Sequence, residues 1–333
     1  MYNLELDRVI LTIKEKKAEK VLLQLPDGIR PFAAQLTEAI EKATGATVFL
    51  SGDSCYGACD IALTQARQLG VDIIVHYGHT PMVKHPEIPV MYVHASIDVD
   101  VDGLLERVLP SLKQYDSIGL TTTVQHVHQI QEIAEKLREK GIQVVVGKGT
   151  GETPLDAQIL GCSYMTAINI KDKVGAYLYI GGGRFHPTGI VMSTGKPVIT
   201  LNPYNGQVGF ITEDDLMDVA KRRMAAVTIA KSAHTFAILV SSKPGQNNLD
   251  KAIELQNKLK EAGKETIIIY MDEIRAEHVN NYSEPEILVN TACPRIAVDG
   301  ITGIDRPMLT INETEVVLGL RRWEDLWGNS YME

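Results

Sequence analysis

A strand–helix–strand pattern recurs three times along this chain, and it restricts the fold more than any other feature of the sequence. The copies recur roughly every hundred residues, at 20–53, 116–149 and 235–272. Each contains a segment with apolar residues at three- and four-residue steps, the spacing of an amphipathic helix. A glycine closes each of these segments and is the expected C-cap. The pattern therefore predicts three related units, each with two strands joined by a helix.

Apolar strands joined by helices indicate parallel sheets with right-handed crossovers. Each unit has a further apolar strand, at 70–79, 175–183 or 286–293, and the last of these runs directly into Cys293. We therefore expect an α/β fold of three pseudo-symmetric βαβ-type (Rossmann-like) domains around a central site. The expected domains are residues 1–108, 109–212 and 213–333.

Composition restricts the class of protein. The 333 residues are 44% hydrophobic and 23% charged, which is an ordinary globular composition for two or three domains. No apolar run approaches the roughly 20 residues of a membrane span, and the first residues lack the apolar core of a signal peptide. We expect a cytoplasmic protein. The net charge of −9 without a dense Lys/Arg block argues against direct nucleic-acid binding.

Three of the four cysteines stand alone, one in each predicted unit: Cys59, Cys162 and Cys293. Ligand sites in open parallel sheets lie beyond the carboxyl ends of the strands, so these thiolates could meet at one metal centre. A reducing compartment argues against disulfides, and the alternative is buried thiols acting as small hydrophobes. Three thiolates with one open position suit either zinc or an iron–sulfur cluster.

Cys55 complicates this count. It forms Cys-x3-Cys with Cys59, the first half of the CxxxCxxC motif of conventional radical enzymes, but the second half is missing. We expect Cys55 to be a spectator or an occasional fourth ligand. Arg295, beside Cys293, is a candidate to favour the thiolate or an anionic cluster electrostatically.

Five segments together resemble the diphthamide-synthesis family, and the similarity runs nearly end to end. They are LLQLPDGIR, SGDSCYGACD, LDAQILGCSY, YIGGGRFHPTG and LVNTACPRIAVDG. The resemblance implies one [4Fe–4S] cluster held by Cys59, Cys162 and Cys293 at the centre of the three domains. It also implies a radical S-adenosylmethionine enzyme that lacks the usual fold of that class.

The activity implied by the resemblance is transfer of the 3-amino-3-carboxypropyl group of S-adenosylmethionine. The acceptor is C2 of a histidine imidazole in translation elongation factor 2, and the sulfur–Cγ bond is cleaved, leaving methylthioadenosine. The resemblance further implies a homodimer and an external electron donor. The role of the protein is to select the carbon that reacts and to exclude water and oxygen.

The glycine run after the 175–183 strand is a candidate cofactor-binding turn. Backbone amides of Gly181, Gly182 and Gly183 could approach the carboxylate or adenosine of the cofactor, and the alternative is a tight turn. Arg184 and His186 lie just beyond the run. Without GxGxxG before a helix, a nicotinamide fingerprint is not supported.

Other polar residues at strand ends carry weaker predictions. Asp27 is a candidate contact for ribose or ammonium groups, although Pro-Asp-Gly is also an ordinary turn, which we favour. His76 and His79 could meet cofactor or protein substrate, and a structural role is the commoner one. His126 and His128 are expected to be surface or capping residues.

Two other functions compete with the transferase. A quinolinate-synthase-like dehydratase would share a triplicated α/β fold, one cluster cysteine per domain and an open iron. A non-enzymatic zinc or redox-sensing module would also use three thiolates. The motifs YGACD and NTACPR favour the diphthamide-synthesis family.

Overall fold

A computed structural model describes residues 2–84, 86–327 and 331 of the chain. Within these residues, the strands form three separate sheets, two with four strands and one with five. Each sheet contains one copy of the repeated sequence pattern. The predicted α/β fold of three pseudo-symmetric units is therefore confirmed.

The first sheet is entirely parallel, with the order β2-β1-β3-β4. Its strands are β1 (Lys20–Gln24), β2 (Thr47–Leu50), β3 (Ile73–Tyr77) and β4 (Val90–Val93). Its helices are α1 (Leu6–Glu15), α2 (Ala33–Thr44) and α3 (Leu63–Leu69). Helix α2 ends where Gly45 adopts the left-handed conformation (φ 74°), which glycine adopts without a Cβ penalty.

The second sheet has the order β6-β5-β7-β8-β9, and β9 is antiparallel to β8. Its strands are β5 (Ser117–Thr122), β6 (Gln143–Val146), β7 (Ala176–Ile180), β8 (Val198–Leu201) and β9 (Val208–Ile211). Its helices are α4 (Val101–Leu112), α5 (Ile130–Glu139), α6 (Met165–Ile168) and α7 (Phe185–Thr194). Helix α4 crosses the predicted domain limit at residue 108, and its apolar side chains pack in the core of this sheet.

The third sheet is parallel, with the order β11-β10-β12-β13. Its strands are β10 (Thr235–Ser241), β11 (Glu265–Met271), β12 (Ile287–Asn290) and β13 (Met308–Thr310). Its helices are α8 (Met217–Ser232), α9 (Leu249–Glu261), α10 (Ala276–Val279), α11 (Pro294–Asp299), α12 (Ile311–Val317) and α13 (Trp323–Leu326). A capping box at Thr310 and Glu313 begins α12, satisfying free amides at the helix start.

The repeat is visible in the strand orders. The first strand of each copy (β1, β5 or β10) lies between its second strand and the further strand of that unit. These three strands are almost entirely buried, because helices cover both faces of a parallel sheet. One apolar cluster joins residues of the second and third sheets, including Tyr177 and Phe236. Among the described residues, no helix has the length and apolar character needed to cross a membrane.

Candidate metal and cofactor site

A cavity of about 730 Å³ lies where loops of all three sheets meet. Cys59, Cys162 and Cys293 all line it. Cys59 follows β2 and Cys162 follows β6, at equivalent places in the first two units, whereas Cys293 follows β12 directly. The volume is within the range of about 300–1,000 Å³ typical of small-molecule sites. The three lone cysteines therefore share one cavity, as their positions at strand ends predicted.

The loop that carries Cys59 is held by the loop that follows β10 in the third sheet. The Gly245 amide donates a hydrogen bond to the Cys59 carbonyl at 2.8 Å, and Gln246 Nε2 donates one to Cys59 Sγ at 3.2 Å. A Cβ at Gly245 would lie 2.5 Å from Cys59 Cα, so glycine permits this close approach of the two backbones. Cys59 follows a strand of the first sheet but is thus positioned by a loop of the third sheet.

A buried ion pair strengthens the same junction. Lys243 Nζ lies 2.8 Å from Asp60 Oδ1, and both side chains are only 9% exposed. Burial raises the pKa of the Asp60 carboxyl, and the ammonium of Lys243 partly offsets that effect. The Tyr56 amide also donates a hydrogen bond to Asp60 Oδ2 at 3.5 Å. The ion pair therefore holds Asp60, the residue after Cys59, to the loop that follows β10 of the third sheet.

Cys162 lies in a tight turn supported by aromatic side chains. The Leu160 amide donates to the Ser163 carbonyl at 2.9 Å, and Tyr164 Oη donates to the Gly161 carbonyl at 3.2 Å. A Cβ at Gly161 would lie 2.4 Å from the Phe185 ring. The glycine before Cys162 therefore allows the turn to pack against the start of α7.

Cys293 is the N-cap residue of α11, and Pro294 occupies the first helical position, where its missing N–H costs nothing. Asn290 Nδ2 donates to the Cys293 carbonyl at 2.6 Å. Arg295 makes two 2.9 Å hydrogen bonds to Asp299, and its guanidinium lies 3.8 Å from the centre of the Phe185 ring. Its buried Nη1 has no hydrogen-bond partner among the described residues.

Burial keeps the three thiols protonated at neutral pH. Desolvation raises the pKa of Cys59 to about 11, although the Gln246 hydrogen bond opposes it. Burial also raises the pKa of Cys162, and nearby Cys293 and Cys59 raise it further. Burial raises the pKa of Cys293 less, because backbone amides and Arg295 oppose it. A metal bound by these residues must displace protons, since thiolates are the ligands.

Of the predicted cofactor-binding residues, His186 lines the cavity. Gly182, Gly183 and Arg184 are exposed and are not among the residues lining the cavity. Gly181 is buried and stands at a turn where a Cβ would lie 2.4 Å from Tyr179 Oη. The glycine run therefore forms the turn from β7 into α7, the alternative that the sequence offered, and cofactor binding by the run stays a prediction.

Asp27 also lies apart from the residues that line the cavity. Its side chain is 90% exposed and faces Arg30 at 3.3 Å. This placement agrees with the ordinary turn that we favoured from the sequence.

The predicted surface position is wrong for His126, which is 1% exposed. It is the N-cap residue of the short 3-10 helix Val127–Gln129, although its side chain makes no capping hydrogen bond. Its ring nitrogens face the Ile97 carbonyl at 3.2 Å and Tyr204 Oη at 3.3 Å. Its buried position within the turn after β5 was not visible from residue spacing. His128 is a partly exposed residue, paired with Asp98 at 2.8 Å.

Sequence reasoning missed Lys243 and Gln246, both of which line the cavity. The segment SSKPGQ, a Pro-Gly turn directly after the first strand of the third repeat, was the available signal. It parallels the LPDG turn after β1, but only the spatial arrangement of the sheets brings it to Cys59.

His76 is buried, His79 is partly buried, and their imidazole rings are in close contact. Their Nε2 and Nδ1 atoms lie 2.9 Å apart. Burial lowers the pKa of His79 to about 4 and holds that of His76 well below its ordinary value, so both rings are neutral. His79 lines the cavity, and Cys55 lies close to both rings.

Three α/β units whose lone cysteines meet at one cavity define a protein suited to hold a shared thiolate-bound group. A family model described as "Putative diphthamide synthesis protein" matches residues 25–328. The chain therefore belongs to the diphthamide synthesis family, and the predicted family is confirmed.

Individual relatives agree with this assignment. The chain is 33% identical to 2-(3-amino-3-carboxypropyl)histidine synthase of Pyrococcus horikoshii, over 96% of this chain and 92% of that protein. It is 30% identical to subunit 1 of the Homo sapiens synthase, over 97% of this chain and 73% of that protein. Both names agree with the predicted transferase activity.

Solved structures show the same fold. The crystal structure of Dph2 from Pyrococcus horikoshii matches with a TM-score of 0.88 and 33% identity, covering 97% of this chain and 93% of that chain. A second structure of that protein, described as containing a 4Fe-4S cluster, matches equally well. The predicted iron–sulfur cofactor agrees with that description, and the family match favours the transferase over the dehydratase and sensor alternatives.

Proposed function

We propose that this protein transfers the 3-amino-3-carboxypropyl group of S-adenosylmethionine to C2 of a histidine in translation elongation factor 2. This reaction is the first step of diphthamide biosynthesis. The observation that carries the proposal is the meeting of one cysteine from each sheet at a single cavity of about 730 Å³. The names of the relatives support the same activity.

Cys59, Cys162 and Cys293 are the proposed ligands of one [4Fe–4S] cluster. Thiolates are the usual ligands of such clusters, and four are usual. No fourth cysteine is among the described residues that line the cavity, so one iron would be left for S-adenosylmethionine. When bound, the cluster supplies the electron for reductive cleavage of the sulfur–Cγ bond, and an external donor must replace that electron.

The remaining cavity residues bind and orient the cofactor in this proposal. Arg295 offers in the cavity wall a buried Nη1 that has no hydrogen-bond partner among the described residues, suited to a carboxylate or to the negative charge of the cluster. The Phe185 ring packs against the guanidinium, and Asp299 accepts hydrogen bonds from its Nε and Nη2. His186, neutral because burial lowers its pKa to about 4, adds a polar group without adding positive charge.

The activity is tested by anaerobic incubation with dithionite, labelled S-adenosylmethionine and elongation factor 2. We expect label from the methionine Cγ to appear in the factor, with methylthioadenosine as the coproduct. Release of 5′-deoxyadenosine would show that a different bond is cleaved. A quinolinate-synthase-like activity would instead leave the factor unlabelled under the same conditions.

The ligand set is tested by the iron content of single variants. Cys59→Ala, Cys162→Ala and Cys293→Ala should each lower the bound iron, whereas Cys55→Ala, the matched control, should retain it. Loss of iron in Cys55→Ala with retention in Cys59→Ala would invert the assignment. A colourless protein with one zinc per chain would support the sensor alternative.

The proposal extends to partners and organisation. Elongation factor 2 is the protein substrate, and a homodimer in the cytoplasm is the expected working form. The proposed domains remain residues 1–108, 109–212 and 213–333. The position of α4 in the second core favours moving the first limit to the N-terminal side of Val101. Limited proteolysis with mass spectrometry would locate these limits.

A further inference from the structure

A second group of metal-ligating side chains lies beside the cavity, apart from the three proposed cluster ligands, and one of its members lines the cavity. It consists of Cys55, His76 and His79, whose ligand atoms all lie within 4.8 Å of one another. His76 is fully buried, and His79 lines the cavity. Neither the proposed transfer reaction nor the cluster uses these three side chains.

The first sheet brings them together. His76 is the fourth residue of β3, and His79 follows directly after Gly78, whose φ of 81° turns the chain back. Cys55 lies in the loop after β2. The carboxyl ends of β2 and β3 flank that of β1 in this parallel sheet, so their loops meet at one edge.

The hydrogen bonds around His76 fix its tautomer. The Ala62 amide donates to Gln24 Oε1 at 3.0 Å, which identifies that atom as an acceptor. His76 Nδ1 lies 2.9 Å from the same oxygen, so Nδ1 carries the hydrogen and Nε2 carries the lone pair. An imidazole whose other nitrogen donates to a fixed acceptor is the usual arrangement of a metal-ligating histidine.

We propose that Cys55, His76 and His79 bind one divalent transition-metal ion of the zinc class. Thiolate and imidazole are both common zinc ligands, and three protein donors leave the fourth tetrahedral position for water or a group from the cavity. Bonds of about 2.0–2.1 Å to nitrogen and 2.3 Å to sulfur place the donors of such a site about 3.3–3.6 Å apart. No two of the donor atoms lie more than 4.8 Å apart, so no separation exceeds that of a closed site by more than about 1.5 Å.

Metal binding releases one proton from the site to solvent and changes the tautomer of His79. The Cys55 thiol loses its proton to solvent when its sulfur becomes a ligand. The 2.9 Å contact between His76 Nε2 and His79 Nδ1 is a hydrogen bond in the metal-free protein, with His79 as the donor. The metal replaces that hydrogen, which moves through solvent to the other nitrogen of His79. A bound ion would join the loop carrying Cys55 and Cys59 to β3.

The test uses the full chain with Cys59, Cys162 and Cys293 all changed to serine. Cys55 is then the single thiol left of four, so a thiolate-to-metal absorption band can arise from it alone. Anaerobic titration with Co²⁺ should give one equivalent bound, a charge-transfer band and the d–d spectrum of tetrahedral cobalt. Zinc should displace the cobalt and abolish the colour.

Further substitutions in that variant assign the ligands. Cys55→Ser should remove the charge-transfer band, and His79→Ala should weaken cobalt binding by about tenfold or more. His128→Ala, a partly exposed histidine paired with Asp98, should leave the affinity unchanged. A folded protein, by circular dichroism, that shows no charge-transfer band would overturn the proposal.

A second measurement covers the case in which the triple variant does not fold. The cluster-loaded chain with native cysteines is incubated with Zn²⁺, desalted and analysed for metals. We expect about one zinc per chain beyond the iron, lost in Cys55→Ala and His79→Ala while the iron is retained. Equal zinc in the native protein and both variants would overturn the site without bearing on the cluster.

Discussion

Replacing Lys243 by methionine tests whether charge holds the Cys59 loop to the third sheet. The native pair joins Lys243 Nζ to Asp60 Oδ1 at 2.8 Å, with both side chains 9% exposed. Methionine keeps most of the length of the side chain and removes its charge. Asp60 would then be a buried carboxylate with its close cationic partner gone, one residue from a proposed cluster ligand.

The expected cost follows from the burial of the pair. Removing one partner of a buried ion pair destabilises a protein by about 3–5 kcal/mol, because the other charge is left uncompensated. Lys148 provides a matched control, since its pair with Asp156 is equally short at 2.7 Å but its side chain is 81% exposed. Lys148→Met should cost about 0–1 kcal/mol, the range of surface pairs.

The variant also has a predicted pH dependence. Without Lys243, burial raises the pKa of Asp60 further above its unfolded value. A group whose folded pKa is raised stabilises the fold below its unfolded pKa and loses that contribution as pH rises through the folded pKa. Lys243→Met should therefore lose more stability at pH 7 than at pH 5.

Urea unfolding of the cluster-free protein under anaerobic conditions measures these effects, and iron content after reconstitution reports on the loop. Adding Asp60→Asn to Lys243→Met should restore part of the stability, because the uncompensated charge is removed. A Lys243→Met protein within about 0.5 kcal/mol of the native protein, the range of ordinary surface changes, would refute the reasoning.

Three further predictions concern other parts of the molecule. Gly245→Ala should lower iron content, because the added Cβ would lie 2.5 Å from Cys59 Cα, whereas Gly52→Ala, with open space around it, should not. The cluster-free protein should lose stability as pH rises from about 9 to about 11, because the pKa of Cys59 is raised from 9.0 to about 11 in the fold. A raised folded pKa withdraws its stabilisation over that window, by about 2–3 kcal/mol for Cys59. Cys59→Ser should therefore reduce the pH dependence of urea midpoints by that amount, and the other thiols, whose pKa burial also raises, should keep the rest. Glu313→Leu should cost about 3–5 kcal/mol by urea unfolding, because it leaves the buried guanidinium of Arg223 without its carboxylate; a cost under about 1 kcal/mol, as for a surface pair, would contradict this.

The sequence predicted the elements of the repeats closely. The helix expected over 249–263 is α9, Leu249–Glu261, and the strand expected over 264–272 is β11, Glu265–Met271. Such elements are predictable because their apolar spacing is local and continuous. Helix α7 was not predicted, because its apolar residues surround the helix and it is buried nearly throughout.

The candidate site was predictable where one residue per repeat marked it, and not where contacts joined different sheets. Gln246 and Cys59 are far apart in sequence but share a 3.2 Å hydrogen bond. Likewise, Cys55 lies in the loop after β2 and His76 lies in β3, and they meet only because β2 and β3 flank β1. The sequence distance between such partners carries no periodic signal, so only the assembled fold shows them.

The three proposed ligands have unequal environments, and the difference follows from topology. Cys59 and Cys162 lie in irregular loops after an edge strand, whereas Cys293 begins α11 directly after an inner strand. Amides at the start of α11 and the guanidinium of Arg295 oppose the effect of burial on the pKa of Cys293. The burial that raises the pKa of Cys162 has no comparable opposition, since its neighbouring thiols raise the pKa further. Positive groups near a thiol favour its thiolate, so Cys293 is the ligand best prepared to lose its proton first.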